Sequence, residues 1–263
     1  MKKLIALLLA LVMVIGLVAC GAEKAPVEEA PNEEAPVEEA PVEEAPVEEA
    51  PVEEAPVEEA PAAMTYADYI AAELESEVVI ECYVQNHQSW WDNQITVYAA
   101  DQDGAYFIYN MVCSEEDAAK LVPGTKIRVT GFKTEWAGEV EIAEGATFEF
   151  VEGADTYIAE PVDATALLGT DELINYQNQL ATFKGMTVEA ISYKNDGGDD
   201  IYLTLSLNGT PYEFCVEVYL TGTESDVYTT VGTLEVGNVV DVEGFLYWYE
   251  GVNPHITAIA IAE

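Results

Sequence analysis

A twelve-residue pattern recurs in this chain, and that repetition limits what it can fold into. Leu121-Val122-Pro123-Gly124-Thr125-Lys126-Ile127-Arg128-Val129-Thr130-Gly131-Phe132 aligns without gaps to Leu234-Glu235-Val236-Gly237-Asn238-Val239-Val240-Asp241-Val242-Glu243-Gly244-Phe245. In the same register Trp136 meets Tyr249 and Gly138 meets Gly251. Upstream, Asp103-Gly104 matches Asn208-Gly209, each before a Tyr- and Phe-bearing run. Two copies of one unit are the simplest account. Residues 64–263 are rich in Val, Ile, Thr and Tyr in short runs bounded by Gly, Asn and Asp, which predicts strands. Val78, Ile80, Cys82 and Val84 alternate with Val79, Glu81 and Tyr83; Ile201, Leu203, Leu205 and Leu207 alternate with Tyr202, Thr204 and Ser206. Helical signals are few. Thr65 with Asp68 predicts a capped stretch to about Leu74, Ser114 with Asp117 another over Glu115–Leu121, and a third falls near Leu167–Gln177.

Each copy reads as a long first strand, a loop, and a hairpin through Asp-Gly or Asn-Gly. A connecting segment follows, then Gly-x-x-(apolar)-x-(apolar)-x-Gly-Phe, a short aromatic turn and a last strand. Five strands with a helix or loop between the third and fourth is the order of an OB-fold, a small partly open barrel. The predicted class is all-β with minor α: two tandem five-stranded OB-fold-like barrels. On the Leu-x-x-Gly…Gly-Phe stretches at 121–132 and 234–245, the chain resembles the tandem OB-fold domains of bacterial envelope lipoproteins, over about residues 75–151 and 178–262. That resemblance implies structural glycines at tight barrel corners and brings no catalytic signature. In the second copy the segment Thr221–Thr233 is longer and less helical than the pattern expects.

The N-terminus fits the same resemblance. Met1-Lys2-Lys3 precedes an apolar run from Leu4 to Ala19 that ends Leu17-Val18-Ala19-Cys20-Gly21. A basic start, an apolar stretch and a small-residue stop read as a secretory signal, short for a membrane span. The stop resembles a lipobox, which implies lipidation of Cys20 and an extracytoplasmic chain anchored to the bacterial membrane or cell surface. Next come seven copies of a five-residue unit, from Ala25-Pro26-Val27-Glu28-Glu29 to Ala55-Pro56-Val57-Glu58-Glu59, the second with Asn32 in place of Val. Proline every fifth residue breaks long helices, and repelling glutamates extend the chain, so this is a disordered, solvated spacer. Fully polyproline-like, residues 21–63 would reach about 130 Å as an upper limit. The expected division is 1–19 signal, 20–63 lipidated Cys20 and linker, 64–153 first barrel with a short N-terminal helix, and 154–263 inter-domain helix and second barrel.

The chain holds 50 acids and 9 bases. Fifteen of the acids and three of the bases lie outside residues 64–263, leaving 35 and 6 there, a net of −29. Phosphate recognition rests on Lys and Arg, so this balance disfavours nucleic acid as a partner and favours neutral or cationic ones. Lys126, Arg128 and Lys133, on one strand, are the best remnant of a cationic groove. Cys82, Cys113 and Cys215 cannot all pair with one another. Each sits in an apolar run and reads as a buried free thiol, with a Cys82–Cys113 disulfide as the alternative.

OB-folds bind on the face of strands two and three, flanked by the loops joining strands one to two and four to five. In the first unit those loops are Ser89-Trp90-Trp91-Asp92-Asn93 and Thr134-Glu135-Trp136-Ala137-Gly138, so three of four tryptophans fall in them. The strands between add Tyr98 and either Tyr106 or Tyr109. In the second unit Tyr247-Trp248-Tyr249 holds the matching loop, opposite the polar Asn195–Asp200. The expected ligand-binding set is Trp90, Trp91, Asp92, Asn93, Tyr98, Trp136, Tyr247, Trp248 and Tyr249. Flat rings backed by Asp92, Asn93 and Glu135 suit stacking on sugars with hydrogen bonds to hydroxyls. Packing of the same aromatics at barrel ends or between domains is the structural alternative. Asp101–Gly104 and Asn195–Asp200 lack the distal bidentate Glu of a calcium loop, and His87 and His255 have no ligand-spaced neighbours. No metal, cofactor or catalytic motif is implied. The expected function is a non-catalytic, lipid-anchored surface protein recognising an extracellular glycan or peptidoglycan fragment. An envelope adaptor for a basic protein partner is the alternative, and nucleic-acid binding stands third.

Overall fold

Alternating burial makes strands where the sequence predicts them, and a computed structural model shows those strands closing twice into a barrel. It describes residues 61–195 and 197–262; the signal segment, Cys20 and nearly all of the repeat linker lie outside them. In the first barrel β1 (Glu77–His87), β2 (Gln94–Ala100) and β3 (Ala105–Val112) form an antiparallel meander. β4 (Lys126–Trp136) returns along the other edge of β1, from Glu77↔Phe132 to Tyr83↔Lys126, and closes the wall. The fifth strand comes in two pieces, both on β4: β5 (Glu139–Ile142) beside Lys133–Trp136 and β6 (Thr147–Phe150) beside Ile127–Thr130. β5 also meets β3 in parallel at Ile108↔Ile142, giving the closed order β1-β2-β3-β5-β4. Val78, Ile80, Cys82 and Val84 fill the interior with no solvent exposure, and a buried aliphatic of this size contributes about 1.5–3 kcal/mol.

The second barrel repeats the order. β8 (Leu180–Tyr193), β9 (Ile201–Leu207) and β10 (Thr210–Val216) form the meander, β11 (Val239–Phe245) closes on β8, and β12 (His255–Ile261) joins β11 to β10. The short β7 (Val162–Asp163) adds to the outer edge of β8. Two OB-fold barrels are thus present. The duplicated glycines explain the duplicated motif. Gly124 and Gly237 take φ of +89° and +90°, a left-handed turn entering β4 and β11 that a side chain would strain. Gly131 and Gly244 are not corners, as the sequence implied, but points of close approach. A Cβ on Gly131 would lie 2.5 Å from Ile142 Cγ2, and one on Gly244 only 2.2 Å from the His255 carbonyl oxygen.

Helices are shorter than the sequence predicts. α1 (Tyr66–Ala71) starts at the Thr65 cap but stops before Leu74, because Ala72 turns extended. The ammonium of Lys133 then takes the carbonyls of Tyr69, Ile70 and Ala72 at 2.8–3.0 Å. α2 (Glu115–Ala118) ends three residues before Leu121, and Pro123 bars continuation. The helix expected at 167–177 is two separate 3-10 turns, Thr165–Leu167 and Leu173–Tyr176, parted by Gly169 at φ +76°. The doubtful segment of the second copy carries α3 (Val218–Thr221) and α4 (Asp226–Val231), broken at Gly222. Cys82, Cys113 and Cys215 are buried free thiols, and no disulfide links Cys82 to Cys113.

Both barrels belong to one compact unit, and a small aromatic core joins them. Tyr98 and Phe107 on the outer face of β2 and β3 pack with Leu220 and Phe245 of the second barrel. Tyr98 stacks on Phe245 at 4.3 Å between centroids, 13° from parallel. Hydrogen bonds rim this patch: Ser89 N–H to the Tyr219 carbonyl (2.6 Å), Gln88 Nε2 to Glu217 Oε1 (2.7 Å), Gln177 Nε2 to the Gly138 carbonyl (2.9 Å) and Trp248 N–H to Glu139 Oε2 (2.9 Å).

Candidate functional site

Where the strand-two and strand-three face of the first barrel is not covered by the second, it opens into a cleft of about 750 Å³. That volume suits a small-molecule or oligomer-fragment ligand. The floor comes from Thr96, Tyr109 and Asn110 on β2 and β3. One wall is the β1–β2 loop with Gln88, Ser89 and Trp91; another is Trp136 and Glu141 of β4 and β5. The second barrel contributes Glu217 and Tyr219 at the start of α3, with Tyr247 and His255.

The turn chemistry decides which tryptophan faces the cleft. Asp92 and Asn93 take φ of +48° and +62°, and Trp91 and Gln94 exchange backbone hydrogen bonds across them at 3.0–3.1 Å. This is a two-residue hairpin turn, the geometry that Asx residues favour. It sends Trp90 inward, where Nε1 donates to the Cys113 carbonyl at 2.9 Å and the ring packs on the first core. Trp91 points outward at 63% exposure, and Trp136, across the cleft, is 55% exposed. Trp136 leans on Tyr249 at 5.2 Å.

Of the nine expected ligand residues, Trp91, Trp136 and Tyr247 line the cleft. Tyr98 does not: it is fully buried between the barrels, because the second barrel docks on the strand face where a ligand was expected. Trp90 and Trp248 are half-buried packing residues, each against its own barrel's core. Asp92 and Asn93 are the corner of the turn rather than lining. Tyr249 supports Trp136 from outside the lining. The second unit's aromatic loop therefore serves mostly to join the barrels. Of the two strand tyrosines weighed, Tyr109 faces the cleft and Tyr106 is core.

The polar lining was largely missed. Glu141 is 7% exposed, and burial pushes its carboxyl up to about 7. Two residues earlier, Glu139 is fully buried. Burial raises its carboxyl to about 8 against the lowering effect of the Trp248 N–H. In Glu139-Val140-Glu141-Ile142 alternation would place the apolar pair inside and the acids out, so no sequence signal marks the acids as inward. His255 Nδ1 lies 2.7 Å from Tyr98 Oη and 3.2 Å from Glu217 Oε2, a contact between barrels. Burial, then the nearby Glu217, raises the Tyr98 hydroxyl well above its ordinary value. Burial likewise raises the Cys82 and Cys215 thiols.

The strand cations expected as a groove remnant are occupied. Lys126 and Arg128 pair with Glu81 at 2.7 and 3.2 Å, and Lys133 caps α1. Asp101, weighed for calcium, accepts from Asp103 N–H, Gly104 N–H and Tyr106 Oη at 2.7–2.9 Å and so holds its own turn. The cleft can thus offer ring faces, amides and carboxylate acceptors.

No protein-family model and no curated protein sequence matches the chain. Solved structures do resemble it at low identity. The p204 HINb domain is 11% identical over 69% of this chain and 95% of that one, with a TM-score of 0.33. A murine DNA-binding protein bound with double-stranded DNA is 10% identical over 70% and 96%, with a TM-score of 0.37. A replication protein A heterotrimer bound to single-stranded DNA is 14% identical over 69% and 50%, with a TM-score of 0.29. Other similar structures are also DNA complexes. The expectation that nucleic acid is disfavoured as a partner rested on net charge and is corrected, since charge does not decide it. Formal charge summed over a domain bounds only the phosphate contribution; base stacking on exposed rings is a separate source of affinity. Closed barrel order defines the class, a tandem OB-fold protein with an aromatic cleft between its barrels.

Proposed function

We propose that this chain is a non-catalytic binding protein, lipid-anchored through Cys20 outside a bacterial membrane, whose inter-barrel cleft receives a glycan or peptidoglycan fragment. One observation carries the reading: Trp91 and Trp136 stand exposed over a cavity whose remaining lining is amide, hydroxyl and carboxylate. Indole faces stack on the apolar faces of sugar rings, and Gln88, Asn110 and Glu217 supply partners for hydroxyls. The Ala-Pro-Val-Glu-Glu repeat would hold this cleft off the lipid surface. The resemblance to envelope lipoproteins and the lipobox-like Val18-Ala19-Cys20 support the location.

The same exposed rings support a second reading, a single-stranded oligonucleotide stacked by its bases, since the OB-fold face takes oligonucleotides as well as oligosaccharides. Tryptophan emission titrated with peptidoglycan fragments, an oligosaccharide panel and a mixed-sequence oligonucleotide separates the two. A saturable shift with a sugar, lost in a Trp91→Ala/Trp136→Ala double variant, supports the first. A shift only with the oligonucleotide replaces it with the second, and no shift with any probe refutes both.

A further inference from the structure

Glu141 is set in the wall of the cleft with nothing to neutralise it. It is 7% exposed, and among the described residues no hydrogen bond or ion pair reaches its carboxylate. Groups that could serve it are used elsewhere. Thr134, its cross-strand partner, donates Oγ1 to Glu75 Oε1 at 2.8 Å. Lys133, beside Ile142 on the same strand pair, turns its ammonium onto the carbonyls ending α1. The titratable groups around Glu141 bring no positive charge: Glu139 on its own strand, Tyr69 of α1 and Tyr247 of the second barrel each feel it as a negative neighbour. Glu217 adds a second carboxylate to the lining, beside His255, and among the described residues no Lys or Arg lines the cleft. A buried carboxylate without a partner is costly, and the molecule retains one at the edge of a ligand-sized cavity.

We propose that the ligand carries a cationic amine, seated on Glu141 while its apolar ring face lies against Trp91 and Trp136. An ammonium offers three donors to a carboxylate, and indole faces attract cations as well as apolar rings. Resting on the glycan reading above, the ligand is an amino sugar whose nitrogen is free rather than acetylated. Acetylation removes the charge and puts an amide where the carboxylate needs a cation.

The test titrates the full chain at pH 7 with two oligomers of equal length, one of glucosamine and one of N-acetylglucosamine, in the wild type and in Glu141→Gln. The wild type is expected to prefer the free amine by about 10-fold or more, the scale of a charge-assisted hydrogen bond. Glu141→Gln is expected to bring the ratio near one. That variant changes a single charge, so a preference arising only from the chain's net acidity would survive it and overturn the proposal. Equal binding of both oligomers by the wild type overturns the proposal and leaves the glycan reading intact, whereas binding of neither overturns both. Should Glu141→Gln not fold, the wild-type ratio is measured at pH 5.5 and 8 with an N,N,N-trimethylglucosamine oligomer in place of glucosamine, since its charge does not titrate. Protonation of Glu141 should lower the preference at pH 5.5, and an unchanged ratio refutes its role.

Discussion

Glu139 makes the stability of this protein fall as pH rises, opposite to a salt-bridged carboxylate. Its Oε2 accepts the Trp248 N–H at 2.9 Å and the Gln177 amide at 3.3 Å, while Oε1 is buried with no partner among the described residues. The folded state therefore holds the proton to about pH 8, where the ordinary value is 4.5. Between those values the folded chain binds more protons than the unfolded one, so each pH unit removes up to about 1.4 kcal/mol. Over the window the loss approaches about 5 kcal/mol, a large share of a domain's ordinary 5–15 kcal/mol. Glu141, raised to about 7, acts in the same direction, and the two carboxyls titrate as a pair. Glu139→Gln keeps an acceptor for Trp248 and removes the charge. Its unpaired amide donor costs about 1–3 kcal/mol, much as the carboxyl proton does at low pH. Urea denaturation followed by tryptophan emission from pH 5 to 9 reads the difference. The variant is expected to match the wild type within about 1 kcal/mol at pH 5 and to exceed it by about 2–4 kcal/mol at pH 8.5. A wild-type-to-variant gap that stays constant with pH would refute the reasoning.

Two further outcomes follow from the packing. Gly244→Ala should destabilise the chain by about 1–3 kcal/mol or more by urea denaturation, since its Cβ would meet the His255 carbonyl oxygen at 2.2 Å and backbone must shift; a neutral result would mean that β12 is not held this close. Tyr98→Phe keeps the stack on Phe245 but leaves His255 Nδ1 without its 2.7 Å partner. Because Glu217 Oε2 still lies 3.2 Å from that nitrogen, a loss of about 0.5–1.5 kcal/mol is expected, with hydrogen exchange rising at the barrel–barrel contact rather than within either core.

The fold was legible because its signals are local and repeated. Alternating runs such as Val78-Ile80-Cys82-Val84 state which face is buried, and Gly124 and Gly237, at the same position of the repeated stretch, mark the same turn in both copies. Helix lengths were less legible: caps at Thr65 and Ser114 announce where helices begin, but α1 ends where Lys133, far away in sequence, takes its carbonyls. Of the site, the loops bearing Trp91 and Trp136 followed from strand order alone. Which indole of Trp90-Trp91 faces out depended on the Asp92-Asn93 turn, itself a local signal that strand counting does not use.

By itself the sequence determined two five-stranded barrels, the alternating runs that fill them and the loops that flank the cleft, because periodicity and turn chemistry act over a few residues. Only the tertiary structure decided that the second barrel docks on that face, burying Tyr98, bringing Glu217, Tyr219 and His255 into the cleft and leaving Glu141 unpaired in its wall. Docking depends on how two folded surfaces fit, a sum over residues distant in the chain, and no local pattern in either copy encodes it.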